Sequence, residues 1–260
     1  MPVYEEIKEC KGNDERRKCY GLLSGVIDPL VFDTPKTRKI MIITQQPNKK
    51  GQAGKEDLKR NLRKLLDRKI QNPSLNLATS TGDTEGTKET LVEYFGGEFV
   101  DSVVNEGEMQ GEYYWTHFIK CPYVNGSLDD ACALKWISRE VKEKQPKLIV
   151  TFGSRASGFI LRKAEIGDEW KEYLWKRELE GTCQGKEIDL DSLRIKVPTN
   201  DSVGRLESRL FVMFHPSPSS RLGGFLNEKL RPGLQSVVRK ATATSGVHSS
   251  TALGRDGSDP

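Results

Sequence analysis

The sequence predicts an α/β fold: a single domain with a four-stranded parallel sheet sandwiched between helices. Two observations carry this. Four short apolar runs rich in β-branched and aromatic residues recur along the chain: Arg38–Thr44, Tyr114–Lys120, Lys147–Phe152 and Arg209–His215. Segments with helical spacing of apolar residues lie between them, and such alternation builds a parallel sheet with helices on both faces. The 260 residues suit one large domain or one domain with insertions. At this size about 75% of the unfolded surface can be buried without help from disulfides.

The first run, RKIMIIT, leads to Leu58–Ile70, where leucines at 58, 62, 65 and 66 repeat at helical spacing. Residues 71–112 read as an insertion. The second run, YWTHFIK, precedes a helix over Leu128–Lys144, with Ser127 as N-cap and Gln145-Pro146 as the stop. The third, KLIVTF, is followed after Gly153 by a helix over Ser154–Lys163. Residues 162–208 read as a second insertion, one that packs because it holds Trp170, Trp175 and Cys183. The fourth run, RLFVMFH, leads to a helix over Leu222–Lys240, in which Pro232 predicts a break or a fresh start. The domain is expected to span 1–240, and residues 241–260, without apolar periodicity, to form a disordered tail.

Composition narrows the function classes. No apolar run approaches the roughly 20 residues of a membrane helix. The first residues, MPVYEEIKEC, lack an apolar signal region. A cytoplasmic monomer without a membrane is therefore expected. Five cysteines in such a chain point away from a disulfide framework, toward metal ligands or buried thiols. Net charge is only +4, but it is unevenly spread. Segment 49–69 has nine basic and three acidic residues, segment 71–112 one lysine and nine acids, and segment 205–240 seven basic and two acidic residues. The two basic segments could share a face and meet phosphates, or be ordinary solvated helix faces.

Ligands of such sheets bind beyond the C-terminal ends of the strands. There the chain places Thr44-Gln45-Gln46-Pro47-Asn48, Lys120-Cys121-Pro122-Tyr123, Gly153-Ser154-Arg155 and His215-Pro216-Ser217-Pro218-Ser219-Ser220-Arg221. An imidazole, amides, hydroxyls and backbone donors converge, with neither a carboxylate pair nor a phosphate-cradling loop of the P-loop type.

These four segments, in this order, resemble the uracil-DNA glycosylase superfamily. FHPSPSSR at 214–221 is similar to its HPSP motif, and MIITQQPNKKGQAGK to its apolar strand followed by GQDPY or GEAPG. QPKLIVTFGSRAS resembles its third strand followed by G-x-x-A, and YWTHFIKCPYVNG the Y-x-TN-x-x-KC-x-P-x-N of an iron–sulfur branch. The resemblance spans about 35–240. It implies a monofunctional enzyme that flips a base from DNA and cuts its N-glycosidic bond, with DNA as partner. The transition state pairs a sugar oxocarbenium with an anionic base, so it needs a donor on the departing base and oriented water. His215 matches the donor. Ser217, Ser219, Ser220 and Arg221 match the minor-groove loop that pinches phosphates, and Ser154 and Arg155 join them as DNA contacts. Ser219 stands where an apolar wedge is usual, and Leu222 is the nearest apolar replacement.

Three departures remodel the pocket. Gln45 and Gln46 replace the water-activating carboxylate and can only orient water. His117 replaces the base-reading Asn. The short loop after Pro47 lacks the stacking Phe, and Asn48 stands where some members have a Tyr that excludes 5-substituted pyrimidines. With Tyr123, these residues form the expected base pocket. They point to a modified pyrimidine such as glucosylated hydroxymethylcytosine in phage DNA, hence antiviral defence. Excision of uracil or a damaged base in repair, and a DNA-binding member without catalysis, are the alternatives; a nucleotide-binding protein that converged on HPSP is a third. The iron–sulfur branch also implies ligand roles for Cys121 and Cys132, with Cys10 and Cys19 in place of its N-terminal pair. Four thiolates suit a [4Fe–4S] cluster, structural zinc being the alternative; unrelated thiols are a further reading.

Overall fold

The computed structural model describes residues 1–10, 30–32, 37–45, 55–74, 86–105, 111–120, 131–163, 194–198, 205–216 and 221–243. Five strands form one sheet: β1 (Ile40–Thr44), β2 (Tyr113–His117), β3 (Leu148–Phe152), β4 (Arg194–Pro198) and β5 (Arg205–Met213), in the order β2-β1-β3-β5-β4. The four strands expected from the sequence, β1, β2, β3 and β5, are parallel to one another. Every residue of β1, β2 and β3 is buried, so these strands read as continuous apolar runs.

The sheet also holds a strand that the sequence did not announce. β4 lies in the stretch read as the second insertion and pairs antiparallel with β5. β5 therefore begins at Arg205, four residues before the expected start, because its first half has a partner: Lys196 faces Glu207 and Val197 faces Leu206. The second run ends as a strand at His117, and Phe118–Lys120 bend after it.

Alternation along β1 sorts the core into two layers. Ile40 and Ile42 pack with α2 (Lys55–Gln71), α3 (Gly86–Val104) and α6 (Arg221–Ala243); Leu62, Phe99 and Leu234 are their fully buried contributions. Met41 and Ile43 pack with α4 (Ala131–Lys144) and α5 (Ser154–Lys163) through Ile137, Val141, Phe159 and Ile160. Each such side chain removed from water contributes roughly 1.5–3 kcal/mol.

Three helices differ from expectation. α3 lies in the stretch read as the first insertion, yet Leu91, Val92, Phe95, Phe99, Val100 and Val103 are core residues. Gly96, with φ 69° and ψ −155°, kinks it; glycine alone takes such angles cheaply, and both halves turn an apolar face to the sheet. α6 runs unbroken through Pro232 and reaches Ala243. Pro232 and Glu228, whose carbonyl loses its N–H partner, are both exposed, so solvent takes the carbonyl. α4 is described from Ala131; the expected cap Ser127 lies outside the described residues, as do 164–193 and the tail from 244.

The basic helices do share one layer, but they meet acids there. α3 supplies Asp101 to Arg63 at 2.9 Å, Glu89 to Arg68 at 3.7 Å and Glu93 to Arg231 at 2.9 Å. Within α2, Lys59 pairs with Glu56 and Arg60 with Asp57. α1 (Val3–Lys8) is pinned to α4: Glu6 meets Arg139 at 2.5 Å, and Val3 N–H donates to Glu143 Oε2 at 2.5 Å. Among the described residues no helix is long and apolar enough to cross a membrane.

Candidate active site

The pairing register brings Thr44, His117, Phe152 and Met213 to one level at the C-terminal edge of the sheet. Backbone bonds extend this edge beyond the strands. Phe118 N–H donates to Thr44 O at 2.7 Å, Ile119 N–H to Gln45 O at 3.0 Å, and Gly153 N–H to Met213 O at 2.9 Å. Gln45, Gly153 and His215 are thereby carried just past the ends of β1, β3 and β5.

Gly153 joins them. Its φ is +94°, and a Cβ placed there would lie 3.4 Å from His215 Cβ, 3.5 Å from His215 Cδ2 and 3.8 Å from Gln45 Oε1. The side chains of His215 and Gln45 therefore flank one glycine. The turn into α5 is tied down by Ser157, whose N–H and Oγ–H reach Gly153 O at 3.2 and 2.8 Å. Thr151 Oγ1 shares a hydrogen bond with Ser157 Oγ at 2.8 Å.

His215 is half-buried, and burial pulls its imidazole below the usual 6.5. It is neutral at pH 7, with one N–H to donate and no charge to neutralise. His117 is only 3% exposed. Burial first, and then the nearby Lys120 charge, push it down to about 3. Its ring lies beside Trp115, centroids 5.1 Å apart, and its Nδ1 has no hydrogen-bond partner among the described residues. Trp115 Nε1–H donates to Thr44 Oγ1 at 2.9 Å, fixing the indole that backs this imidazole. β2 and β5 are three strand spacings apart in the sheet order, about 14 Å. His117 and His215 thus stand on opposite flanks of the edge, with Gln45 and Gly153 between them.

Of the expected DNA contacts, Ser154 is exposed at the start of α5, and Arg155, beside it, has a buried Nη1 without a partner among the described residues. Arg221 and Leu222 open α6, described by backbone alone. Gln46, Asn48, Tyr123, Ser217, Ser219 and Ser220 lie outside the described residues, as do Cys19 and Cys121. Cys10 and Cys132 come together at one small apolar cluster of Val3, Ile7, Val31 and Trp136. Lys120 N–H donates to Cys132 Sγ at 3.3 Å, and Cys121 is the next residue in the chain. Among the described residues no three metal-ligating side chains cluster.

The sequence reading missed a buried polar network at the end of β2. Lys120 and Glu140 are 1% and 0% exposed and pair at 2.5 Å. Tyr114 OH and Thr116 Oγ1–H each donate to Glu140 Oε1 at 2.7 Å. A signal was present: Glu140 falls on the apolar stripe of its helix, beside Ile137 and Val141, where an acid needs a buried partner.

A family model described as the uracil DNA glycosylase superfamily matches residues 32–232. No curated protein matches the chain.

Proposed function

Because the chain belongs to the uracil-DNA glycosylase superfamily, we propose that it excises a modified pyrimidine from DNA by hydrolysing the N-glycosidic bond and leaving an abasic site. Membership itself implies DNA glycosylase activity, with DNA as the macromolecular partner. The finer reading rests on one observation. Where the family has a base-reading Asn, this chain has His117, an imidazole held neutral with an open Nδ1. A neutral ring offers one donor and one acceptor on separate nitrogens, a different pattern from an amide. Together with the Asn48 loop, this supports a bulky 5-substituted pyrimidine. Glucosylated hydroxymethylcytosine of viral DNA leads, and antiviral defence follows from it.

In the mechanism the glycosidic bond breaks with its electron pair passing to the base. His215 donates an N–H to the oxygen where negative charge develops, a contribution of about 3–4 kcal/mol. Gln45 orients water toward the anomeric carbon and takes no proton; the proton that water loses as its oxygen bonds to that carbon neutralises the departed base anion. Gly153 lets both side chains approach the same point. Ser154, Arg155 and the Ser217–Leu222 segment hold the phosphates on either side of the flipped nucleotide.

The same reading takes Cys10, Cys19, Cys121 and Cys132 as ligands of a [4Fe–4S] cluster, with structural zinc the alternative. Cys10 and Cys132 share one apolar cluster, and a backbone N–H already points at Cys132 Sγ, the kind of bond that tunes cluster sulfurs. Bound there, the metal would staple the N-terminal arm to the sheet and supply no chemistry to base release.

The test is mass spectrometry of bases released from matched duplexes carrying uracil, cytosine and glucosylated hydroxymethylcytosine. Release of the glucosylated base is expected. Fastest release of uracil, with the glucosylated base untouched, overturns the substrate assignment. Tight binding without any release makes the chain a DNA-binding member of the fold.

A further inference from the structure

We propose that Lys120, through its buried pair with Glu140, is a positioning residue that couples Cys132, at the start of α4, to His117, fixing the Sγ of the one and the backbone of the other together. Every polar group of Lys120 is committed. Its ammonium has three protons, and they go to Thr116 Oγ1 at 2.6 Å, His117 O at 2.8 Å and Glu140 Oε2 at 2.5 Å. Its backbone N–H goes to Cys132 Sγ at 3.3 Å, and its carbonyl accepts Leu30 N–H at 2.8 Å. One residue thereby ties the end of β2, the start and middle of α4, and the strand of chain at residue 30.

The ion pair by itself does not explain such a residue through stability. Removing two charges from water costs several kilocalories per mole per ion, and apolar side chains of similar volume often serve the fold as well or better. What an apolar pair cannot do is hold a carbonyl, a hydroxyl and a carboxylate in fixed directions. The carbonyl belongs to His117, the residue assigned to read the base. The same ammonium stands close enough to oppose protonation of that imidazole. A disturbance at the cysteine end therefore reaches the pocket within four residues of chain.

The catalytic consequence rests on the glycosylase reading, but the coupling can be read without activity. The experiment replaces the pair by apolar residues, Lys120→Met with Glu140→Leu, in the full chain as isolated. The thermal midpoint should fall, because Tyr114 OH and Thr116 Oγ1–H lose their acceptor and His117 O a donor. The chain has three histidines, so the His117 ring is separable by NMR, and its titration midpoint should rise by about half a pH unit or more once the ammonium is gone. Iodoacetamide labelling of Cys132, followed by peptide mass spectrometry, should quicken about tenfold. Glu140→Gln keeps the shape and should also quicken Cys132 labelling, which keeps the test open if the double variant does not fold. A folded double variant in which either His117 or Cys132 behaves as in the parent overturns the coupling. Where the parent releases base, the double variant should lose kcat/KM about tenfold. A parent that releases none defeats the glycosylase reading and leaves the two other readouts to decide this one.

Discussion

Replacing Gly153 by alanine should damage stability and base release through separate routes. The φ of +94° is a region that L side chains occupy at a cost of about 1–3 kcal/mol. For a chain of this length the unfolding entropy is roughly 0.5 kcal/mol per degree, so the melting midpoint should fall by about 2–6 °C. The new Cβ would also stand 3.4 Å from His215 Cβ and 3.8 Å from Gln45 Oε1. That is ordinary contact for a relaxed neighbour. Relief of the φ strain, however, moves the turn toward one or other side chain by tenths of an ångström. Since a misplacement of 1 Å can cost about 100-fold in rate, a loss of roughly tenfold in base release is expected. Differential scanning calorimetry and single-turnover release from a substrate duplex measure the two effects. An alanine variant with an unchanged midpoint would show that the turn relaxes freely. Unchanged turnover with a lowered midpoint would remove Gly153 from the alignment of His215 and Gln45.

His215→Ala should lower single-turnover release about 100- to 1,000-fold, the usual loss of a donor to developing charge, while DNA affinity measured by fluorescence anisotropy holds. Both described histidines lie below 6.5 in the folded chain, so the unfolded chain binds more protons as pH falls. Stability is whole above about pH 6.5 and falls below it, for His117 by about 1.4 kcal/mol per unit until about 3; urea titrations of His117→Phe between pH 4 and 7 should show a shallower acid limb. Arg38 is 6% exposed with Nε and Nη2 unpartnered among the described residues, so Arg38→Met should leave the urea midpoint unchanged or higher, and a clear fall would reveal a partner for the guanidinium. Because Arg63 and Arg68 already face Asp101 and Glu89, changing both to glutamine should leave the salt slope of DNA binding as it is.

The parallel sheet was legible because central strands are buried on both faces and therefore read as unbroken apolar runs, as IMIIT and LIVTF do. α3 was less legible for two physical reasons. Its apolar residues at 91, 92, 95, 99, 100 and 103 have helical spacing, but Gly96-Gly97 interrupts the pattern and the stretch 71–112 carries nine acids. Three of those acids meet cations of α2 and α6, Asp101 with Arg63, Glu89 with Arg68 and Glu93 with Arg231, so part of the charge pattern that resembled a nucleic-acid surface is helix–helix pairing. β4 was hidden because an edge strand, paired on one side only, needs no strong apolar signal. At the site, His215 and Gln45 could be placed from the strand ends alone. The conjunction with Gly153 could not, since it depends on one dihedral angle. Lys120 and Glu140 were hidden because charged residues are read as exposed until a fold brings them face to face.

The way carboxylates are used bears on how the reaction can run. Glu140 is saturated by Lys120, Tyr114 and Thr116. Asp101 and Glu93 serve the arginines of α2 and α6, and Glu56 and Asp57 serve the cations one turn on in their own helix. At the strand ends stand instead a neutral imidazole, an amide and a glycine, joined across the sheet by a second neutral imidazole. Such a set can donate to an anion, and with burial lowering both imidazoles it is a weak base toward water. Among the described residues, the means of lowering the barrier then lie mainly on the leaving-group side, in stabilising the departing base as its bond to the sugar fails. That favours bases that carry negative charge well or that gain hydrogen bonds as they leave. Selectivity would reside in those bonds: a pocket whose polar groups are buried rejects a base that leaves them unpaired by up to about 10⁴-fold. His117, with its open Nδ1, is the described group best placed to exact that difference.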